Sequence, residues 1–190
     1  LVASDYPGLR ARFEVEVGQR VRLGERLFHD KRMPGVTFTA PAAGTVSAIH
    51  RGERRALIAV VIAVSPPADG KSEDSVAFDS YTGAAPESLD PEAVRALLLE
   101  SGLWAAFRTR PFSRIPDPAA SPSAIFVTAT DSHPLAPDPE VVLAGQEHDF
   151  EAGLHAVGRL TSGPKYLCTG ANSRLTPPAG GAFSHHRFEG

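Results

Sequence analysis

The sequence predicts an α+β protein of two domains: a small all-β sandwich over residues 1–66, an irregular connection over 67–89, and an α/β domain over 90–190. Three observations carry this. Up to residue 64 the apolar residues alternate with polar ones or form short β-branched runs punctuated by glycine. A stretch rich in proline, glycine, serine and acidic side chains follows. Beyond it, segments with helix and strand patterns succeed one another. A chain of 190 residues permits one large domain or two small ones, since domains commonly run to about 100–150 residues. Charge favours two. Residues 1–65 hold ten Lys and Arg against six Asp and Glu, and residues 66–190 hold nine against sixteen, so +4 and −7 make up the net −3. Such asymmetry can steer docking onto other protein surfaces.

Within the first domain, Phe13, Val15 and Val17 alternate with Arg12, Glu14 and Glu16, the period-two pattern of a half-buried strand. Residues 36–39 and 45–49 repeat the pattern. The apolar run 56–64 has the length and β-branched content of a buried strand, and Ser65-Pro66-Pro67 ends it. In the connection, residues 76–81 are a candidate short strand. Asp90-Pro91-Glu92 then opens a helix with a capping carboxylate, a proline at the first helical position and an acidic first turn. Val94, Leu97 and Leu98 share a face of it, and Gly102 stops it. Residues 124–128 read as a buried strand, Asp138-Pro139-Glu140 caps a helical stretch, and Phe150, Leu154, Val157 and Leu160 keep helical spacing towards Gly163. Residues 165–169 form a further strand. Strand, helix, strand is the βαβ unit of a Rossmann-like domain, with a right-handed crossover expected.

The most informative stretch is Leu27-Phe28-His29-Asp30-Lys31-Arg32-Met33-Pro34-Gly35-Val36-Thr37-Phe38-Thr39-Ala40-Pro41-Ala42-Ala43-Gly44. With the glycines and apolar residues before it, it reads as the hairpin of a biotinyl/lipoyl-like β barrel-sandwich hybrid. In such carriers the modified lysine sits at the tip of a two-residue turn, and Lys31 is the candidate. Here Arg32-Met33-Pro34-Gly35 predicts a wider turn, because Pro34 fixes φ and removes a donor. Lys31 also lies farther from Gly44 than a modified lysine does in the carriers. Both features argue against attachment.

Other chemistry is thinly supported. No polybasic run or aromatic–basic interleaving accompanies the near-neutral pI of about 6.2, so no nucleic-acid partner is expected. The longest apolar run, 56–64, falls short of the roughly 20 residues of a spanning helix. No charged-then-apolar leader opens the chain, and the single cysteine, Cys168, cannot pair within it; a reducing, cytoplasmic setting is expected. Both ends read as cut, as in a piece of a longer protein. Thr128-Ala129-Thr130-Asp131-Ser132-His133-Pro134-Leu135 follows the 124–128 strand without the Gly-x-Gly that lets a phosphate approach a helix N-terminus, so dinucleotide binding is not expected. The seven histidines lack metal-ligand spacing, with His148 and His155 seven apart and His185-His186 near a ragged end, so surface roles are expected. Cys168 reads as a small apolar group. No Gly-x-Ser-x-Gly elbow supports self-contained hydrolysis. Residues 101–116 gather Trp104, Phe107, Phe112, Arg108, Arg110 and Arg114 just after a helix. Arginine forks and aromatic faces suit carboxylates, phosphates, carbonyl oxygens or flat ligands. Alternatively, Trp104 and Phe107 anchor the helix in the core and the arginines form ion pairs between domains.

Taken together, Asp30 through Gly44, Ile49-His50-Arg51-Gly52-Glu53-Arg54-Arg55, Leu98-Leu99-Glu100-Ser101-Gly102-Leu103-Trp104, Phe107-Arg108-Thr109-Arg110-Pro111-Phe112, 124–135 and 175–184 resemble the A-subunit family of the bacterial sodium-translocating NADH:ubiquinone reductases. His50 departs from the Asn usual there. The resemblance implies a peripheral subunit on the cytoplasmic face of the inner membrane, in a six-subunit pump that moves electrons from NADH to ubiquinone and exports sodium. The complex would use FAD, FMN, riboflavin and iron–sulfur centres. This chain would bind none of them, would be linked to ubiquinone, and would associate with the membrane through partner subunits. The family is also similar in fold to the C subunit of the Rnf complex and to the NADH-binding flavoprotein of complex I. Two functions of different class remain. In one, a docking subunit shapes the quinone end of the enzyme, with Arg108, Arg110 and Phe112 as contacts to headgroup or neighbour and no catalytic or metal-ligating residue. In the other, a carrier domain swings an arm on Lys31.

Overall fold

Two three-stranded antiparallel sheets form the first part of the protein, seen in a computed structural model that describes residues 1–64, 74–180 and 183–189. One sheet has the order β1-β3-β4, from Ala11–Phe13 (β1), Arg26–Asp30 (β3) and Met33–Thr39 (β4). The other is β2-β5-β6, from Arg20–Val21 (β2), Gly44–Arg51 (β5) and Leu57–Val64 (β6). Val21, Leu27, Phe28, Val36, Phe38, Val46 and Val60 are buried between and around them. Burying each such side chain stabilises by about 1.5–3 kcal/mol. Phe28 and Phe38 are direct cross-strand partners with stacked rings 4.6 Å apart, flanked by Phe13 and Tyr6.

The expected alternation in 13–17 ends early. Val15 is buried, but Val17 is exposed in the turn leading to Gly18. The run 56–64 does form a strand, yet not a buried one: Val60 alone is buried, and Ile58, Val61 and Val64 are exposed. Its position explains this, since among the described residues β6 is the outer strand of its sheet, with only Leu1 and Val2 bonded to its far edge through Val60 and Ala59. Residues 76–81 form no strand; a single parallel bridge joins Ser75 to Leu23. Residues 65–73, expected to begin the connection, lie outside the described residues.

β4 is covered on both faces. Val36, Thr37 and Phe38 are consecutive and all buried. One face carries the aromatic stack. On the other, Thr37 Oγ1 donates to the Leu99 carbonyl at 2.6 Å and Thr39 Oγ1 to the Ser101 carbonyl at 2.8 Å. These acceptors belong to the end of helix α1, Pro91–Glu100, and the turn after it. Gly102, at φ +80°, makes that turn where a Cβ would lie 2.8 Å from Thr39 Oγ1. A 3-10 turn, Leu103–Ala106, then buries Trp104 and Ala105. Contacts therefore group Leu1–Thr82 with Arg95–Ala120 in one compact unit, and Gly83–Val94 with Ser121–Gly190 in the other. The sequence pattern, by contrast, assigns all of 90–190 to the α/β domain.

In the second unit, β7 (Ile125–Ala129), β8 (Lys165–Gly170) and β9 (Phe183–Phe188) form a parallel sheet in that order. Between β7 and β8 run a single helical turn, α2 (Pro139–Val142), and α3 (Glu147–Gly158). Asp138 caps α2 by accepting from the Glu140 amide, and Asp90 accepts from the Glu92 amide at the start of α1. Helical spacing after Phe150 stops at Gly158, earlier than Gly163, although Leu160 remains buried. Leu154 of α3 packs with Ala129 and Leu167, beside Val127, Leu175 and Phe183. Two expectations fail here. The 124–128 strand is buried on one face only, with Phe126 exposed. The stretch around His185-His186 is not ragged but forms β9, and the two histidines point to opposite faces. His185 Nε2 meets Thr169 Oγ1 at 2.8 Å, while His186 sits edge-on to Tyr166.

Among the described glycines of the first unit Gly44 is the closest approach: a Cβ there would lie 2.2 Å from the Ala63 carbonyl oxygen and 2.9 Å from Ile62 Cγ2. Gly44→Ala is expected to cost about 1–3 kcal/mol, as a lower urea midpoint followed by fluorescence of Trp104, the one tryptophan.

Candidate functional site

The β3–β4 hairpin places Lys31 differently from the sequence expectation. Asp30 pairs with Met33, so the turn is the two residues Lys31-Arg32, while Pro34 and Gly35 belong to β4. A proline is accepted there because β4 is an outer strand and the missing donor breaks no ladder bond. The buried Asp30 carboxylate accepts from the Arg32 amide at 2.9 Å, and the Lys31 amide donates to the Arg10 carbonyl at 2.8 Å. The wide turn argued from Pro34 is thus absent, and the Lys31 side chain is exposed at the tip.

Of the three arginines after α1, the structure uses Arg108 internally. Its guanidinium donates to the carbonyls of Ala105, Phe107 (2.8 Å) and Asp5 (2.9 Å) and lies 5.2 Å from the Tyr6 ring centre. Trp104 Nε1 donates to the Pro116 carbonyl at 3.0 Å, and Arg95 stacks over the indole. The anchoring role weighed for Trp104 is the one it has, and the bonds of Arg108 go to backbone carbonyls rather than carboxylates. Arg110 and Phe112 stand apart from it. They project on a tight loop closed by Thr109 and Arg114 backbone bonds, with Phe112 73% accessible and the Arg114 guanidinium 5.9 Å from its ring. Of the three residues singled out from the sequence, Arg108 lines a cavity, and Arg110 and Phe112 do not.

Arg108 borders a cavity of about 520 Å³ in the first unit. Leu23, Phe38, Val76, Phe78 and Leu103 supply apolar walls, with the Tyr6 ring and the guanidinium at the edge. Such a lining accommodates a flat apolar group bearing an acceptor oxygen. The walls beyond Arg108 escaped sequence reasoning because they come from four separate stretches of chain. Nearby, the Glu100 carboxylate accepts from the Asp79 and Ser80 amides, each at 2.9 Å, and from the Ser80 hydroxyl. These bonds, the Ser80 hydroxyl foremost, lower its pKa below the ordinary carboxylate value.

A second, polar crevice of about 690 Å³ lies in the other unit where β7 and β8 end, the place where open parallel sheets receive ligands. Thr130, Asp131, Ser132, Asp138, Glu140 and Asn172 line it. Glu140 holds Arg174, accepting from its amide and from Nε at 2.9 Å, and those bonds lower the Glu140 pKa. Asp131 accepts from the His133 amide at 2.9 Å and is lowered likewise. Three carboxylates and no glycine between β7 and α2 do not fit a phosphate-bearing cofactor. Among the described residues, no group of three or more His, Cys, Asp or Glu could hold a metal, and no helix is long and apolar enough to cross a membrane.

A β sandwich with a carrier-type hairpin, followed by an α/β domain with no glycine between β7 and α2, defines a class: a barrel-sandwich fold and an α/β fold in one chain. Comparison with known families narrows it. A family model described as the NqrA N-terminal barrel-sandwich hybrid domain matches residues 1–65, and one described as the NqrA second alpha/beta domain matches residues 89–190. The chain belongs to the NqrA family, the A subunits of the Na(+)-translocating NADH-quinone reductases. Relatives named as that component of the reductase include those of Pseudomonas aeruginosa strain UCBPP-PA14 (47% identical over 190 residues), Cellvibrio japonicus (42% over 190) and Actinobacillus pleuropneumoniae serotype 5b (48% over 177). The first two matches cover all of this chain and 41% of the relative; the third covers 92% and 38%. The chain thus spans less than half the length of the relatives it matches.

Because a lowered folded-state pKa favours the folded protein above the unfolded value, the contribution of Glu100 is present at neutral pH and lost as pH falls through the folded pKa. Glu100→Gln is expected to flatten the decline in stability from about pH 6 to about pH 3, read from urea midpoints across that range.

Proposed function

We propose that this chain is the docking and quinone-facing part of the A subunit of a sodium-pumping NADH:ubiquinone oxidoreductase, and that it has no redox centre of its own. The observation that carries the reading is the crevice at the ends of β7 and β8. It lies where an α/β domain would hold a nucleotide, yet presents Asp131, Asp138 and Glu140 to any incoming phosphate. The FAD, FMN, riboflavin and iron–sulfur centres of the pump then belong to other subunits. The chain is peripheral, on the cytoplasmic face of the inner membrane, held there by its partners. Its functional segments are residues 1–66, 67–89 and 90–190, a division supported by the two family matches.

Arg110 and Phe112 are the contacts to a neighbouring subunit or to the quinone headgroup. An accessible aromatic ring between arginines has the composition of an interface anchor. Arg108 supports the cavity instead. In the assembled complex, replacing Arg110 and Phe112 together by alanine is expected to raise the KM for ubiquinone, or to weaken retention of the subunit, by roughly fivefold or more. Unchanged values for both remove these two residues from the function. Arg108→Ala is expected to act first on stability, lowering the melting temperature of the free subunit.

The carrier reading, with an arm on Lys31, is not favoured by the family match. The subunit isolated from its native membrane is expected to show the intact mass of an unmodified Lys31; an added lipoyl or biotinyl mass would reverse the choice.

A further inference from the structure

One wall of the cavity in the first unit is a strap of chain. Residues 74–81 run past Leu23 and Gly24 and place Val76 and Phe78 in its lining. No residue of this stretch is buried: Val76, Phe78 and Ser80 are half-buried, and Tyr81 is 68% accessible. Phe38 and Ala40, which line the same cavity, are buried. A segment with so little buried apolar surface belongs to the low-stability end of a fold, where local opening occurs without global unfolding.

The strap is attached at both ends. At the first, the Leu23 amide donates to the Asp74 carbonyl at 2.8 Å and the Val76 amide to the Leu23 carbonyl at 2.9 Å, a single parallel bridge. The exposed Arg20–Asp74 pair, at 3.6 Å, adds little. At the second, Glu100 grips the turn from Phe78 to Tyr81, its carboxylate accepting from the Asp79 and Ser80 amides and from the Ser80 hydroxyl. Between the two, Phe78 rests on Gly24, where a Cβ would lie 2.9 Å from its ring.

Glu100 is at the unfavourable end of α1 for an anion. As the last residue of the helix, its carboxylate faces the negative pole of the macrodipole. Three hydrogen bonds from the strap offset that cost. A local rule broken at one position and compensated by a neighbouring segment marks a contact with a purpose.

We infer that residues 74–81 are a gate to this cavity, lifting as one unit and latched by Glu100. Lifting withdraws Val76 and Phe78 together, so a flat apolar molecule enters from that side and is retained when the turn returns to the carboxylate. The gate rests on the geometry of the strap and does not depend on the molecule being a quinone.

The test reads opening in the full-length subunit without ligand. In Glu100→Ala, amide hydrogen exchange is expected to accelerate about tenfold or more at Asp79 and Ser80 and by a similar factor at Leu23 and Val76. Acceleration confined to Asp79 and Ser80 is fraying of a turn and overturns the inference. Ser80→Ala, which removes one of the three bonds and keeps the charge, is expected to accelerate the same four amides by less; no acceleration overturns the inference. Access to the cavity is read by a charged methanethiosulfonate reagent, with labelling located by peptide mass. Ala40→Cys reports the cavity, and Val46→Cys, fully buried in β5 and outside the lining, reports global unfolding. Adding Glu100→Ala is expected to speed labelling at position 40 about tenfold and to leave position 46 within about twofold. Equal acceleration at both positions, or none at position 40, overturns the inference.

Discussion

Two threonine hydroxyls on the inner face of β4 are the constraint on which the first unit depends. Thr37 and Thr39 turn one face of an outer strand towards the carbonyls of Leu99 and Ser101. These carbonyls stand where α1 ends and backbone donors become scarce, with Leu99 accepting only a long backbone bond of 3.3 Å from the Gly102 amide. A valine at Thr39 would bury as well but take this donor from the Ser101 carbonyl, which costs about 1–3 kcal/mol, whereas the Leu99 carbonyl would keep the Gly102 amide at 3.3 Å. Once the end of α1 is fixed, Gly102 can turn against Thr39, Trp104 can enter the core, and Arg108 can reach the carbonyls of Ala105, Phe107 and Asp5. The cavity beside Arg108 is lined by this segment together with Leu23 and Phe38.

The same segment shows why sequence order and packing diverge. Family matches follow the chain, with one boundary at residue 65 and another at 89. Contacts follow burial, and they gather Arg95–Ala120 with the sandwich. The amphipathic pattern in α1 states that Val94, Leu97 and Leu98 need cover. It does not state which domain provides it. Hydroxyl-to-carbonyl bonds across 62 positions of sequence leave no periodic trace at either end.

What is legible in the sequence is whatever is local. Asp90 and Asp138 cap the helices they are expected to cap, and β5, β7 and β8 fall within a residue or two of the strands read at 45–49, 124–128 and 165–169. Pairing is not legible. Pro34 reads as a turn residue until β4 is known to be an outer strand, and the 56–64 run reads as buried until β6 is known to be one too. β9 escapes a reading by pattern because Phe183-Ser184-His185-His186-Arg187-Phe188 has little apolar content; its place comes from pairing with β8 and from His185 meeting Thr169. Of the site, Arg108, Arg110 and Phe112 stand out by composition, but composition cannot tell a guanidinium committed to backbone carbonyls from one left at the surface.

The two concave sites are opposite in chemistry, and that contrast limits what the chain can do. The crevice above β7 and β8 has the position of a nucleotide site with a lining that repels phosphate: Glu140 is engaged by Arg174, Asp131 by His133, and Asp138 by the α2 cap. Carboxylates already bonded within the protein add negative potential without offering a ligand free donors. The cavity of the first unit is the reverse, with apolar walls and a guanidinium at its edge.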